Sequence, residues 1–341
     1  MRPRKSIAFV IAAILLSYTL IHADAIDDRI AKINKAIKEH GYNWVAGRNE
    51  ISVLPDEVKR GLCGLKISKP SPNDKFFAPD VKGKQFPAYL DWRNENGMSF
   101  VTPIRNQYAC GACWAFATVG AFESTIAVKE PVPNPDFDLS EQMLLSCTSA
   151  GNCSYGGYLN AAADALVSIG TTFEECLPYE ASDQVPCSER CEDWPLQIVT
   201  AKSWSWVGKA QPDVDTMKAA LMIAPVAAGL IVYEDFFDYE GGVYQRTPGS
   251  PMKGLHAVLL IGWDDAQQCW IAKNSWGTTW GEDGFFKIKW GAAYIGASSI
   301  LFDYAPGNFH PPQDDDTADD DATDDDSDSN KDSGGGGGCG F

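Results

Sequence analysis

The run Gln107-Tyr108-Ala109-Cys110-Gly111-Ala112-Cys113-Trp114-Ala115-Phe116 places a thiol where a turn of small residues enters an apolar stretch. A thiolate at the start of a helix is stabilised by the partial positive charge of the unpaired amides, and a neighbouring imidazolium stabilises it further. Cys113 is therefore a candidate nucleophile. The chain has 4 histidines. His22 lies in a leading apolar segment, His40 in the region after it, and His310 beside an acidic tail. Only His256 falls in the part of the sequence that reads as a folded domain. Any thiol–imidazole pair there must use it. Asn274 follows as a second candidate partner of such a thiol, and Gln107 stands just upstream of it as a candidate oxyanion donor.

Two plainer readings compete. Cys110 and Cys113 also form a Cys-x-x-Cys pattern, the spacing of a redox dithiol. No βαβ pattern accompanies it, and the flanking Gln and Trp have no redox part to play. A lone His on an apolar strand is most often a core residue. Here a Cys and an Asn stand at suitable separations, with His256 and Asn274 lying 143 and 161 residues after Cys113, and that favours the chemical reading.

These residues need elements to hold them. Cys113 to Lys129 has few breakers and many helix formers, Leu139 to Leu145 follows a Ser-x-x-Met pattern, and Tyr158 to Ile169 is rich in Ala. Later segments read as strands between Gly and Asp turns: Ala257–Gly262, Cys269–Lys273 and Phe285–Trp290. Helices first and strands second predict an α+β protein of two lobes, with a substrate cleft between them. Ahead of this domain, Ile26, Ile30, Ile33 and Ile37 recur at helical spacing with Lys32, Lys35 and Lys38 between them, predicting a short amphipathic helix. Residues 40–85 are rich in Gly, Pro and Lys and read as an extended connector, exposed around Pro70–Lys75.

The 341 residues are 45% hydrophobic and carry a formal charge of -18. That charge argues against a nucleic-acid partner. Residues 314–332 hold eleven Asp and one Lys, followed by a Gly run. Such a segment cannot bury a core, so 306–341 is expected to be a disordered tail. The Asp triplets lack the Gly and spacing of an EF-hand, and no metal or cofactor is expected. Arg2, Arg4 and Lys5 precede the apolar run Ile7–Ile21, and Ala23-Asp24-Ala25 offers a cleavage site. Residues 1–23 thus read as a secretory signal peptide, with no stable membrane insertion after its removal. The 10 cysteines then imply disulfides. Asn152-Cys153-Ser154 fits a glycosylation sequon that a bridged Cys153 would disfavour.

The chain resembles the papain-like cysteine peptidases over about residues 26–303. Five segments carry the resemblance: Leu90-Asp91-Trp92-Arg93, the Gln107–Phe116 block, Leu139-Ser140-Glu141-Gln142, Leu255-His256-Ala257-Val258, and Lys273-Asn274-Ser275-Trp276-Gly277 with Trp280-Gly281. The leading segment is similar to that of the cathepsin B group at Asn43–Asn49 and Leu62-Cys63-Gly64. The resemblance implies a papain-like fold, with a helical left lobe and a β-barrel-like right lobe. It implies that Cys113 attacks a peptide carbonyl, that His256 forms an imidazolium with it and protonates the leaving amine, and that Asn274 orients the ring under the shield of Trp276. Gln107 and the Cys113 backbone amide would form the oxyanion hole, and Gly156 and Gly157 would pair with extended substrate. Bridges Cys110–Cys153 and Cys147–Cys187 follow from the same resemblance. Cys176–Cys191 is inferred from the remaining cysteines, with Cys269 left as a buried thiol. The second-lobe bridge common in the family is expected to be absent, since its positions fall on Ser250 and Ile295.

Some positions depart from the pattern. Tyr108 stands where Gly is usual and Ala112 where Ser is common. Cys153-Ser154-Tyr155-Gly156-Gly157 has one residue more than Cys-x-Gly-Gly. No paired histidines of an occluding loop exist, so an endopeptidase is expected. Ile300 aligns with the floor of the S2 pocket, which favours an apolar P2 residue. The expected organisation is a signal peptide at 1–23, an inhibitory prosegment at 24–85, a peptidase domain at 86–305 and the tail at 306–341. The expected partners are a peptide or protein substrate and the chain's own prosegment, in a monomer of the secretory pathway bound for a lysosome- or vacuole-like compartment or the exterior. Release of the prosegment is expected at acidic pH. The rivals are a catalytically silent peptide- or inhibitor-binding protein on the same scaffold, and acyl transfer by the same thioester chemistry.

Overall fold

Helix α1 spans 25–39 in a computed structural model that describes residues 25–307, except Lys209, together with Phe309. The expected signal peptide, most of the expected tail and Cys339 lie outside the described residues. Ile33 and Ile37 are buried on one face of α1 while Lys32, Lys35 and Lys38 face solvent, as the periodicity predicts. The next stretch holds more structure than its composition suggests. Helix α2 runs Asp56–Gly61, and short strands lie at Trp44–Ala46, Leu65–Lys66 and Phe76–Phe77. Each of these strands takes its hydrogen bonds from a partner far along the chain. No local pattern in 40–85 could announce them.

Helix α3 occupies Cys113–Lys129, and every residue from Cys113 to Ala127 is buried. Such a helix has no polar face and sits inside the domain. Helices α4 (Glu141–Cys147) and α5 (Leu159–Ser168) pack beside it, and α6 (Val214–Leu221) lies further along. The Ser140 hydroxyl caps α4 by accepting from Met143 N, and the Asp213 carboxylate caps α6 by accepting from Thr216 N.

The ten-stranded sheet begins with Trp44–Ala46, then Tyr239–Tyr244, Phe285–Lys289, Cys269–Lys273 and Met252–Asp264. It continues through Val226–Tyr233, Ala297–Asp303 and Ser203–Val207 to Phe76–Phe77. Tyr89–Asp91 adds to the long strand Met252–Asp264. Three sequence-predicted strands are present, the first extended at both ends. Val226–Tyr233 is buried on both faces for most of its length and shows no alternation, so periodicity could not distinguish it from a helix. A smaller sheet joins Leu65–Lys66, Gly156–Tyr158 and Gly151–Asn152. Among the described residues the disulfides are Cys110–Cys153, Cys147–Cys187 and Cys176–Cys191. Cys63, Cys113 and Cys269 are free. Ser250 and Ile295 are both buried, and the Ser250 hydroxyl accepts from Asp235 N.

Candidate active site

Cys113 is the first residue of α3, where no side chain caps the helix. Its sulfur is fully buried and lies against the backbone amides of Ala257, Gly64 and Trp114. Burial dominates those contacts and pushes the thiol up to about 11. His256 projects from the long strand Met252–Asp264. That strand pairs with Cys269–Lys273, with Leu259 opposite Lys273, so Asn274 follows directly on the neighbouring strand. The pairing brings His256 Nε2 to 2.8 Å from Asn274 Oδ1.

The orientation of that carboxamide is fixed. Asn274 Oδ1 also accepts from Ser275 N at 2.9 Å, so the oxygen and not the nitrogen faces the ring. His256 Nε2 must then carry a proton. The other ring nitrogen, Nδ1, faces the carbonyl oxygen of Leu62 at 3.2 Å. A neutral imidazole satisfies one of these two acceptors and an imidazolium satisfies both. Burial dominates again and holds His256 down to about 4, against the pull of Asn274 and Leu62. In this covered state sulfur and imidazole are both neutral near pH 7. Among the described residues no hydrogen bond joins them.

Trp276 is buried, with its ring centroid 4.7 Å from that of His256. It packs among Phe236, Phe237 and Trp280, which keeps water from the His256–Asn274 contact. Gln107 is fully buried. Its Nε2 donates to Leu62 O at 3.1 Å and to Cys110 O at 2.8 Å, while its Oε1 accepts from the Ser275 hydroxyl at 2.7 Å. Ser275 thus holds two groups in place, Asn274 through its amide and Gln107 through its hydroxyl. The sequence reading passed over it, although its position next to Asn274 was the available signal.

The segment Leu62–Lys66 lies across this assembly. Gly157 N donates to Gly64 O at 2.9 Å on one side, and Gly64 bridges to Leu255 on the other. A Cβ on Gly64 would come within 1.9 Å of Gly111 O, and one on Gly156 within 1.8 Å of Gly64 O. Both glycines are needed for backbone to approach this closely. Leu65 sits opposite Gly157, and its side chain reaches Gly229, where a Cβ would meet Leu65 Cδ2 at 2.6 Å. Ile300 is fully buried, opposite Ala227 and Trp206. The neighbouring pocket, about 330 Å³, takes Ala297 and Ser298 from its strand together with Leu230 and Leu255. Tyr108 holds a left-handed turn (φ 48°) and points outward, 63% exposed. Its bulk goes to solvent.

Charge and aromatic packing anchor the same leading segment. Arg29 forms a two-pronged ion pair with buried Asp238, at 2.9 and 2.7 Å, and also donates to Ser52 O. Lys253 reaches Asp56 at 3.1 Å and Glu234 at 3.2 Å. The Trp44 ring packs against Tyr239 and Tyr244.

Behind Asn274 lies a cavity of about 20 Å³, lined in part by Glu123, Glu141, Arg105 and Lys273. Burial raises Glu123 to about 6 and Glu174 nearby to about 7, and lifts Glu141 well above the usual carboxylate range. The sequence reading also missed this cluster. Glu123, the one charge in the buried stretch Cys113–Ala127, was its one visible sign.

Residues 86–300 match the papain family cysteine protease profile. Cathepsin B-like CP2 of Giardia intestinalis is 36% identical over 269 residues, covering 74% of this chain and 86% of that protein. Cathepsin J of Rattus norvegicus is 37% identical, covering 77% and 78%. Among solved structures, procathepsin L 3 of the Tenebrio molitor larval midgut aligns with a TM-score of 0.66 at 25% identity, covering 83% of this chain and 90% of that one. ProCathepsin B S9 from Trypanosoma congolense shares the fold, with a TM-score of 0.69 at 24% identity over 81% and 97% of the two chains.

Proposed function

The chain belongs to the papain family of cysteine proteases, which are hydrolases, and from that membership we propose an endopeptidase whose leading segment, 24–85, blocks the site of a domain spanning 86–305. The resemblance to procathepsins supports a zymogen. One observation carries the reading. A peptide carbonyl, that of Leu62, already accepts from Gln107 Nε2 and faces the His256 ring, while the backbone amide of Gly64, two residues on, reaches the Cys113 sulfur.

Once residues 62–66 leave, water reaches Cys113 and His256. The burial that holds both neutral is relieved, and the thiolate–imidazolium pair becomes accessible. The thiolate attacks a substrate carbonyl carbon. The new oxyanion takes hydrogen bonds from Gln107 Nε2 and the Cys113 backbone amide. His256 gives its Nδ1 proton to the leaving amine while Asn274 holds Nε2. The C–N bond breaks and a thioester remains. Water, deprotonated by His256, attacks the thioester, releases the acid and restores the thiol.

Leu65 against Gly229 supports an apolar side chain as the preferred P2 residue. The missing paired histidines support internal cleavage, and the leading segment keeps its likeness to the cathepsin B group at Leu62-Cys63-Gly64. The expected destination remains the secretory pathway, in a lysosome- or vacuole-like compartment or outside the cell. The test is hydrolysis of a peptide library between pH 4 and 8 by wild type and Cys113→Ala. Wild type should cleave and the variant should not. Equal cleavage by both would overturn the assignment.

A further inference from the structure

Tyr155 lies in the Cys153–Gly157 stretch, which is one residue longer than Cys-x-Gly-Gly, and it has no place in the core. It is 75% exposed. Its backbone is nevertheless fixed, since Tyr155 N donates to Asn152 Oδ1 at 2.7 Å and the disulfide to Cys110 anchors Cys153. Tyr158, two residues past Gly156, presents a second ring. The Lys66 ammonium lies 5.8 Å from the Tyr155 ring centroid and 5.7 Å from that of Tyr158. Among the described residues no carboxylate pairs with Lys66. Aromatic faces attract a cation through their quadrupole and do so better where water is partly displaced.

The register places this contact relative to the chemistry. Gly64 touches the Cys113 sulfur, Leu65 stands opposite Gly157, and Lys66 stands opposite Tyr158. Counting outward from the thiol, the apolar side chain comes first and the cation next. We propose that Tyr155 and Tyr158 form a subsite for a cationic side chain of the substrate, Lys or Arg, one position beyond the apolar residue admitted at Gly229. The leading segment fills this subsite with Lys66 while it blocks the enzyme. The inference rests on the peptidase reading above and adds a substrate class to it. The extended stem of Lys or Arg also lies along the rings, so the charge must be separated from the contact of the stem.

The test is kcat/KM of the activated enzyme on four fluorogenic peptides of the form X-Leu-Gly-aminomethylcoumarin, with Lys, Arg, norleucine or Glu at X. Norleucine keeps the stem without the charge. Lys and Arg should exceed norleucine about three- to tenfold, with Glu below it. In Tyr155→Ala the Lys-to-norleucine ratio should fall to about one, and Tyr155→Phe should retain it because the ring face and not the hydroxyl does the work. Equal rates for Lys and norleucine in the wild type would overturn the subsite while leaving the peptidase reading intact. A preference for Lys that persists in Tyr155→Ala would also overturn it. Cleavage of none of the four, by a protein that also fails on the peptide library, would remove the peptidase reading and this inference with it.

Discussion

Gln107 Nε2 donates a hydrogen bond to the carbonyl oxygen of Leu62 at 3.1 Å. The candidate oxyanion donor is thus engaged by the chain's own backbone, and it is aimed there by the Ser275 hydroxyl on its other end. Gln107→Ala should lower kcat/KM on peptides about a hundredfold with little change in KM, the usual scale for one lost donor. Ser275→Ala should cost less, about tenfold, because the amide remains but turns more freely. Steady-state kinetics on the activated enzyme check both, and an unimpaired Gln107→Ala enzyme would remove Gln107 from the oxyanion hole.

His256 gives a pH prediction whose sign follows from burial. Under the leading segment it is held to about 4, below the ordinary 6.5. The covered state therefore binds fewer protons than an opened one between those values. Its stability is full above about pH 6.5 and declines as pH falls toward 4, which favours release in acid. An NMR titration of the Cys113→Ala zymogen should find the His256 ring titrating near 4. An ordinary value near 6.5 would refute this source of acid sensitivity.

The Arg29–Asp238 pair places a buried carboxylate against one guanidinium across the same interface. Removing one partner of a buried pair costs about 3–5 kcal/mol, since the other charge is left without compensation. Arg29→Ala zymogen should convert to active enzyme at a higher pH than wild type, by more than tenfold in rate at pH 6. Arg29→Lys, which lacks the two-pronged geometry, should fall between them. Gel-based processing assays across pH give the comparison, and identical pH profiles would show that this pair does not hold the segment.

Gly229 marks the position where Leu65 enters. A Cβ there would meet Leu65 Cδ2 at 2.6 Å, so Gly229→Val closes the space with two methyl groups more. The variant should lose about tenfold or more in kcat/KM for peptides with Leu at P2 while retaining those with Ala. A uniform loss across both peptides would place the apolar subsite elsewhere.

The acidic cluster behind Asn274 predicts how stability depends on pH. Burial raises Glu123 to about 6 and Glu174 to about 7, so the folded protein binds more protons than the unfolded chain above pH 4.5. That stability is present in acid and is lost as pH rises through those values. His256 contributes the opposite slope below pH 6.5, so the test is a difference: adding Glu174→Gln to the Cys113→Ala zymogen should make its thermal midpoint fall less, or rise more, between pH 5 and 8. The same change in midpoint with and without Glu174→Gln would contradict the assignment.

What the sequence made legible follows the range of the signals involved. Helix α3 was readable because seventeen residues with a single glycine, Gly120, and no proline carry their own message, and its bounds, Cys113–Lys129, agree with the expectation. Cys113, His256, Asn274 and Gln107 stood out as candidates because chemistry restricts residue type, and the structure gathers His256, Asn274 and Gln107 about the Leu62 carbonyl and Ser275. The strand Val226–Tyr233 and the short strands of the leading segment were not, since pairing with distant partners defines them. Ser275 escaped because its role depends on where Gln107 folds, and Glu123 because an isolated charge in a helix usually faces water.

The two terminal strands of the large sheet, Trp44–Ala46 and Phe76–Phe77, both come from the leading segment. Cutting that segment away therefore opens both flanks at once, leaving rows of unpaired amides and carbonyls beside Tyr239–Tyr244 and Ser203–Val207. A chain that tried to fold from Phe86 onward would meet its siblings with those rows bare. Its refolding yield should fall steeply with concentration, and supplying residues 25–85 in trans should restore it.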